Sequence, residues 1–73
     1  MENSKYKKGD KVIVYRPGQL IVREINEAQR VGATWVYSLL NPDTQEVDRV
    51  SFGGGGSKVD WQEERWLHPY RAR

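Results

Sequence analysis

Short runs of β-branched and aromatic residues, each closed by turn residues, constrain the fold of this chain most. Residues 11–16 read KVIVYR and stop at Pro17-Gly18. Proline presets the first central position of a turn, and glycine accepts the positive φ of the second. The alternation of the run places Tyr15 on the face opposite to Val12 and Val14. This pattern predicts a strand that enters a tight turn.

Three further runs have the same character. Residues 20–25 (LIVREI), 34–40 (TWVYSLL) and 46–52 (EVDRVSF) alternate or are rich in strand-forming residues. The turn signal NPDT at residues 41–44 separates the last two runs and predicts a hairpin between them. Residues 26–32 (NEAQRVG) are too few for a stable helix, and we expect a loop there with at most one helical turn.

The segment that follows the glycine run combines a helix start with a proline-containing end. Asp60 and Glu63 have the spacing of a capping box, which predicts one helical turn over residues 61–65. Residues 66–70 (WLHPY) then resume an extended path, because a proline disfavours helix at the residue before it. We expect Trp66 to anchor this last strand in the core, so that Trp66→Ala would cost about 3–5 kcal/mol.

Length and composition bound the remaining possibilities. A chain of 73 residues forms one domain with little room for both a core and a deep pocket. It has no cysteine, which excludes disulfides and thiolate metal sites and fits a cytoplasmic protein. No apolar run approaches the roughly 20 residues of a membrane span, and the start MENSKYKKGD lacks the apolar stretch of a signal peptide. We therefore expect a cytoplasmic protein without a membrane partner.

Three stretches together resemble the small SH3-like barrels, in particular the Tudor-like and KOW-type groups. They are YKKGDKVIV, WVYSLLNPDTQEVDRV and EERWLHPY. In these families a Gly-Asp pair introduces the first strand, and an acidic helical turn with Leu and Pro leads into the last. The strand pattern predicts an all-β fold, and the resemblance implies an SH3-like five-stranded small barrel with one short helical turn before the last strand. We expect the barrel domain over residues 6–70, between a flexible N-terminal tail at 1–5 and a basic C-terminal tail at 71–73.

The run GGGGS at residues 53–57 has the composition of a flexible linker. A phosphate-binding loop of the Walker type needs Lys and then Ser or Thr after its last glycine, whereas here Ser57 precedes Lys58. No βαβ unit of a dinucleotide-binding fold is visible in the pattern. We interpret the run as a mobile loop, either natural or engineered, whose shortening by two residues should change stability by less than about 1 kcal/mol.

The sequence does not predict catalysis. The lone histidine, His68, lies between a leucine and a proline, where a surface or packing role is the simpler interpretation. The carboxylates of Glu63 and Glu64 and those of residues 43–48 are typical of solvated turns, and the latter lack the spacing of a calcium loop. We expect no catalytic residue, no metal and no cofactor. The resemblance leaves one enzymatic alternative open, because type II dihydrofolate reductases are oligomeric enzymes built on SH3-like barrels.

Binding is the function that the sequence favours. Three tryptophans, four tyrosines and one phenylalanine exceed what a small core needs, and strand alternation directs some of them outward. We predict that Tyr15, Tyr37 and Trp61 line a shallow groove for a protein or peptide, and the resemblance to SH3-like barrels implies that Tyr15 and Trp61 meet at a common rim. The alternative partner is a nucleic acid, whose phosphates would contact the basic residues near the two chain ends: Lys5, Lys7, Lys8, Arg71 and Arg73.

Overall fold

The computed structural model describes residues 3–71, and this part of the chain is all-β, as the strand pattern predicts. Two short 3₁₀ turns, Gly53–Gly55 and Glu64–Trp66, interrupt the strands. The strands are β1 (Lys11–Arg16), β2 (Gln19–Val31), β3 (Thr34–Leu40), β4 (Arg49–Phe52), β5 (Gly56–Val59), β6 (Trp61–Glu63) and β7 (Leu67–Pro69). No helix within residues 3–71 is long and apolar enough to cross a membrane.

The strands form two separate antiparallel sheets. The larger sheet has five strands in the order β6-β3-β2-β1-β7, and the smaller sheet is the hairpin β4-β5. Within residues 3–71 the edge strands β6 and β7 do not pair with each other, so the five-stranded sheet is open and the predicted closed barrel is corrected. Both edge strands are only three residues long, which is typical of protected sheet edges.

The turns at the two ends of β2 follow their local sequence. Gly18 has φ 81 at the second central position after Pro17, which confirms the predicted turn between β1 and β2. At the other end Gly32 has φ 61 at the first central position, as a type II′ hairpin turn requires.

Strand β2 is much longer than the sequence pattern suggested. The loop predicted for residues 26–32 is wrong, because β2 continues to Val31 and pairs with β3 over this length. The register shifts between Ile25 and Glu27, where a bulge allows one strand to pair first with β1 and then with β3. The hydrogen-bonding partners in β3 outweigh the helix-like composition of the segment.

The hairpin predicted between residues 34–40 and 46–52 is also wrong. The turn itself is present, since the side-chain oxygen of Asn41 accepts the N–H of Asp43 at 2.8 Å. After it, however, a single bridge joins Leu40 to Val47, and β3 takes β6 as its neighbour instead. Strand β4 turns back through the glycine run and pairs with β5, a strand that was not predicted.

The predicted helical turn lies later than expected and has a different form. Residues 61–63 are extended as β6, and the 3₁₀ turn begins after Glu63. Glu63 is its N-cap and makes no side-chain cap, so the Asp60–Glu63 capping box is not formed. The last strand follows at Leu67–Pro69, which confirms an extended path through this segment.

The core lies on one face of the five-stranded sheet. Its buried members are Tyr6, Val12, Val14, Ile25, Tyr37, Leu39 and Leu67. Trp66 was expected to anchor the last strand, but 45% of its surface is exposed and Leu67 is the buried residue. Because the 3₁₀ turn includes Trp66, the residue of this segment that is buried in the core is Leu67, one position later. The guanidinium of Arg65 lies 5.5 Å from the centroid of the Trp66 ring, on the surface.

Candidate binding site

Tyr15 stands on the outer face of the five-stranded sheet, opposite to the core. Val12 and Val14 are buried, whereas Tyr15 is 57% exposed, as the alternation requires. It lies directly across from Leu20 in the β1-β2 register, and its ring packs edge-on against His68 with the centroids 4.6 Å apart. These residues form a flat apolar patch.

Tyr37 is a core residue, so its placement in a surface groove is corrected. Its side chain is fully buried, because it shares the inward face of β3 with Leu39. The hydroxyl donates a hydrogen bond to the Glu64 carboxylate and accepts the backbone N–H of Tyr6 at 3.3 Å. Burial first, and then the bond to Glu64, raise the pKa of Tyr37 to about 12. Tyr37 thus joins the N-terminal segment to the second 3₁₀ turn.

Trp61 is exposed and lines a cavity at the base of the β4-β5 hairpin. The indole is 38% exposed, and the cavity measures about 520 Å³. We call this cavity the hairpin groove; its lining residues are Val50, Lys58, Val59, Asp60 and Trp61. Trp61 pairs with Ser38 at one edge of the sheet, and two strands, β3 and β2, separate β6 from the β1 strand of Tyr15. The predicted meeting of Tyr15 and Trp61 at one rim is therefore wrong.

Asp48 holds the base of the hairpin on the large sheet. Its N–H donates to the carbonyl of Leu39 at 2.8 Å, and its own carbonyl accepts the N–H of Asp60 at 3.0 Å. Its carboxylate forms a half-buried ion pair with Arg23 of β2, with Nε and Oδ2 2.9 Å apart. The wall of the hairpin groove is thus anchored at its base by both backbone and side-chain bonds.

The glycine run closes the hairpin. Gly54 and Gly55 have φ 86 and 82, a conformation that side-chain-bearing residues rarely adopt. Gly56 lies directly under the Phe52 ring, so that a Cβ there would lie 2.5 Å from Cε2 of Phe52 and the ring would have to move. The Phe52 ring covers its cross-strand partner and remains 55% exposed. The side-chain oxygen of Ser57 accepts a hydrogen bond from Nε of Arg49 at 2.9 Å.

Of the predicted basic residues that the structure describes, Lys5 alone lines a second cavity. Lys5, Lys7, Lys8 and Arg71 are all exposed, and Arg73 lies outside the described residues. The cavity is lined by Lys5, Tyr6, Asp10, Lys11, Pro69 and Tyr70. Sequence reasoning missed Lys11 and Tyr70 as members of this group, since only the pairing of β1 with β7 brings them together.

Several of the acidic side chains considered above have structural partners. Asp48 pairs with Arg23, Glu63 pairs with Arg65 at 3.4 Å, and Glu64 accepts the Tyr37 hydroxyl. No group of three metal-ligating side chains occurs within residues 3–71.

Comparison with protein-family models, with curated proteins and with solved structures found no match.

Proposed function

We propose that this protein is a small, non-catalytic binding module of the SH3-like type, which recognises an extended segment of a protein or peptide in the hairpin groove. The observation that carries the proposal is the exposed indole of Trp61 in a cavity that the hairpin walls. Tryptophan in a partly enclosed cavity is the residue type most often found to dominate protein interfaces.

The order of the strands supports an SH3-like architecture. The antiparallel order β7-β1-β2-β3-β6 follows the chain as a meander, apart from the inserted hairpin, and a 3₁₀ turn precedes the last strand. The Gly9-Asp10 pair leads into β1, with Gly9 at φ 95 and its N–H bonded to the carbonyl of Ile25 at 2.9 Å. In this interpretation the β4-β5 hairpin is an insertion before β6, the fourth strand of the open five-stranded sheet.

The lining of the groove defines the chemistry of its partner. Val50 and Trp61 offer apolar surface, which suits one bulky apolar side chain of a bound segment. Lys58 lies across from Val50 in the hairpin register and can receive a carboxylate next to that side chain. The partner that fits best is an extended peptide with a bulky apolar anchor residue, because Lys58 and Asp60 give the lining one charge of each sign.

The experiment uses peptides selected from a displayed random library on the full chain. Trp61→Ala should weaken the selected peptides at least about fivefold, as the loss of a dominant interface residue does. Trp66→Ala is the matched control, since Trp66 is about as exposed but lies outside the groove. Equal affinities of wild type and Trp61→Ala, or a loss with Trp66→Ala alone, would refute the groove.

Tyr15 is a candidate contact residue outside the hairpin groove. It lies on the flat patch with Leu20 rather than in the groove, and Tyr15→Ala in the same assay reports whether the patch also touches the peptide. We expect an affinity loss of less than about twofold for this variant, because a flat patch excludes water poorly.

A further inference from the structure

Both ends of the described chain meet at one surface. The backbone N–H of Tyr70 donates to the carbonyl of Lys11 at 3.3 Å, which fixes the residues after β7 beside the start of β1. Lys5 lines the same cavity from the N-terminal side. We call this the terminal basic surface: Lys5, Lys11 and Tyr70 line its cavity, and the exposed residues Lys7, Lys8 and Arg71 are close to them in the sequence.

The lysines of this surface extend from a backbone that the core holds in place. Tyr6 is buried, and its hydroxyl donates to the carbonyl of Leu67 at 3.2 Å. The N–H of Lys5 donates to the Glu64 carboxylate at 3.0 Å, and the N–H of Lys7 donates to the Asp10 carboxylate at 2.9 Å. Because the backbone is fixed, less conformational entropy is lost when the side chains bind an anion.

Positive charge dominates the surface. Its acidic neighbours are Asp10, whose carboxylate accepts the N–H of Lys7, Glu64, whose carboxylate accepts the N–H of Lys5, and Glu24, which pairs with Lys11 across β1 and β2. Five cationic side chains outnumber these carboxylates, and all five are exposed: Lys5, Lys7, Lys8, Lys11 and Arg71. Such an excess attracts a polyanion.

An exposed aromatic ring indicates which type of polyanion suits this surface. Tyr70 is 40% exposed and lines the cavity between Lys5 and Lys11. An aromatic face beside cations suits an unpaired base next to its phosphates, because the base can stack while the lysines neutralise the backbone. A duplex keeps its bases stacked inside, and an acidic protein segment has no base to stack.

We infer that the terminal basic surface binds single-stranded nucleic acid, with one base stacked on Tyr70 and the flanking phosphates near Lys5 and Lys11. This site is separate from the hairpin groove and does not depend on peptide binding there. DNA and RNA share this chemistry, so both are used in the test.

The test measures fluorescence anisotropy of labelled oligo(dT) and oligo(rU), and of a DNA duplex, between about 50 and 200 mM salt. We expect the logarithm of the association constant to fall with the logarithm of salt concentration with a slope of about −2, as about three phosphate contacts produce. Lys11→Gln should make this slope shallower by about 0.7, whereas the charge control Arg30→Gln, on the exposed end of β2, should leave it unchanged.

Two tyrosine variants separate the contribution of base stacking from that of charge. Tyr70→Ala should weaken single-strand binding at least about fivefold at an unchanged slope, whereas Tyr15→Ala, which removes an exposed tyrosine outside the lining of this cavity, should not weaken it. The inference is overturned if Tyr70→Ala binds like wild type, if the duplex binds as tightly as the single strands, or if polyglutamate competes as well as oligo(dT). None of these outcomes bears on the peptide groove.

Discussion

The five-stranded sheet and the β4-β5 hairpin use the same antiparallel pairing but differ in what they bury. Val12, Ile25 and Leu39 of the sheet are 0–1% exposed, whereas no residue of β4 or β5 is buried. A two-stranded hairpin without a buried face is at best marginally stable in water. The buried side chains that stabilise the domain therefore belong to the sheet and its flanking segments, while the hairpin is held at its base by Asp48 and keeps an exposed surface.

The largest expected effect is the loss of a core aromatic. Tyr37→Ala should lower the free energy of unfolding by about 3–5 kcal/mol, since it removes a fully buried ring. Phe52→Ala, the matched change on the hairpin, should cost less than about 1 kcal/mol because the ring is mostly exposed. Urea denaturation of the two variants checks the difference, and similar costs would remove the distinction between the two regions.

The pH dependence of the free energy of unfolding tests the burial of the Tyr37 hydroxyl. The pKa of Tyr37 rises from 10.0 to about 12 on folding, so the unfolded chain loses this proton first as the pH rises. Its stabilising contribution is complete below pH 10 and is lost between pH 10 and about 12.

In Tyr37→Phe the decline in the free energy of unfolding over this range should be smaller by about 2–3 kcal/mol. Urea denaturation at several pH values measures it, with Tyr15→Phe as the exposed control. A decline of equal size in Tyr37→Phe and wild type would contradict the buried, neutral hydroxyl.

The ion pair at the hairpin base should have an intermediate effect. Asp48→Asn should cost about 1–2 kcal/mol, because the charge of Arg23 then remains half-buried without its partner. Glu63→Gln breaks a longer pair in which Arg65 is largely exposed, and it should cost less than about 0.5 kcal/mol. If the two variants lose the same stability in urea, Asp48 does not anchor the hairpin through its side chain.

The smallest expected effect is local to the hairpin. Gly56→Ala places a Cβ where the Phe52 ring lies, so the ring must move away. Global stability should change by less than about 1 kcal/mol, while the upfield ring-current shift of the residue 56 Hα disappears from the proton NMR spectrum. A Gly56 Hα at its ordinary position in the wild type would show that the ring does not cover the glycine.

The predictable parts of the fold are those that local chemistry determines. Pro17-Gly18 and the alternation around Val12 and Val14 are sufficient to predict β1 and its turn. The extension of β2 and the strand β5 were not predictable from the sequence. The mostly polar residues 27–30 and the glycine-rich start of β5 form strands only because a neighbouring strand provides hydrogen bonds.

The site was predictable only in part, for a geometric reason. Alternation states that Tyr37 shares a face with Leu39, but it does not state which face is buried. Lys11 and Tyr70 are far apart in the sequence, and only the β1-β7 pairing reveals that they are neighbours. Trp61 was recognised as an exposed aromatic residue, yet its neighbours in the groove depend on the unpredicted hairpin.

Deletion of the β4-β5 hairpin tests whether the five-stranded sheet folds without it and whether peptide binding requires it. The N–H of Asp60 already bonds to the carbonyl of Asp48 at 3.0 Å, so an Asn-Gly turn can replace residues 49–59 without stretching the chain. We predict that the shortened protein keeps the amide NMR spectrum of the five-stranded sheet, stays within about 1 kcal/mol of wild-type stability and no longer binds the selected peptides. An unfolded spectrum, or undiminished peptide affinity, would contradict it.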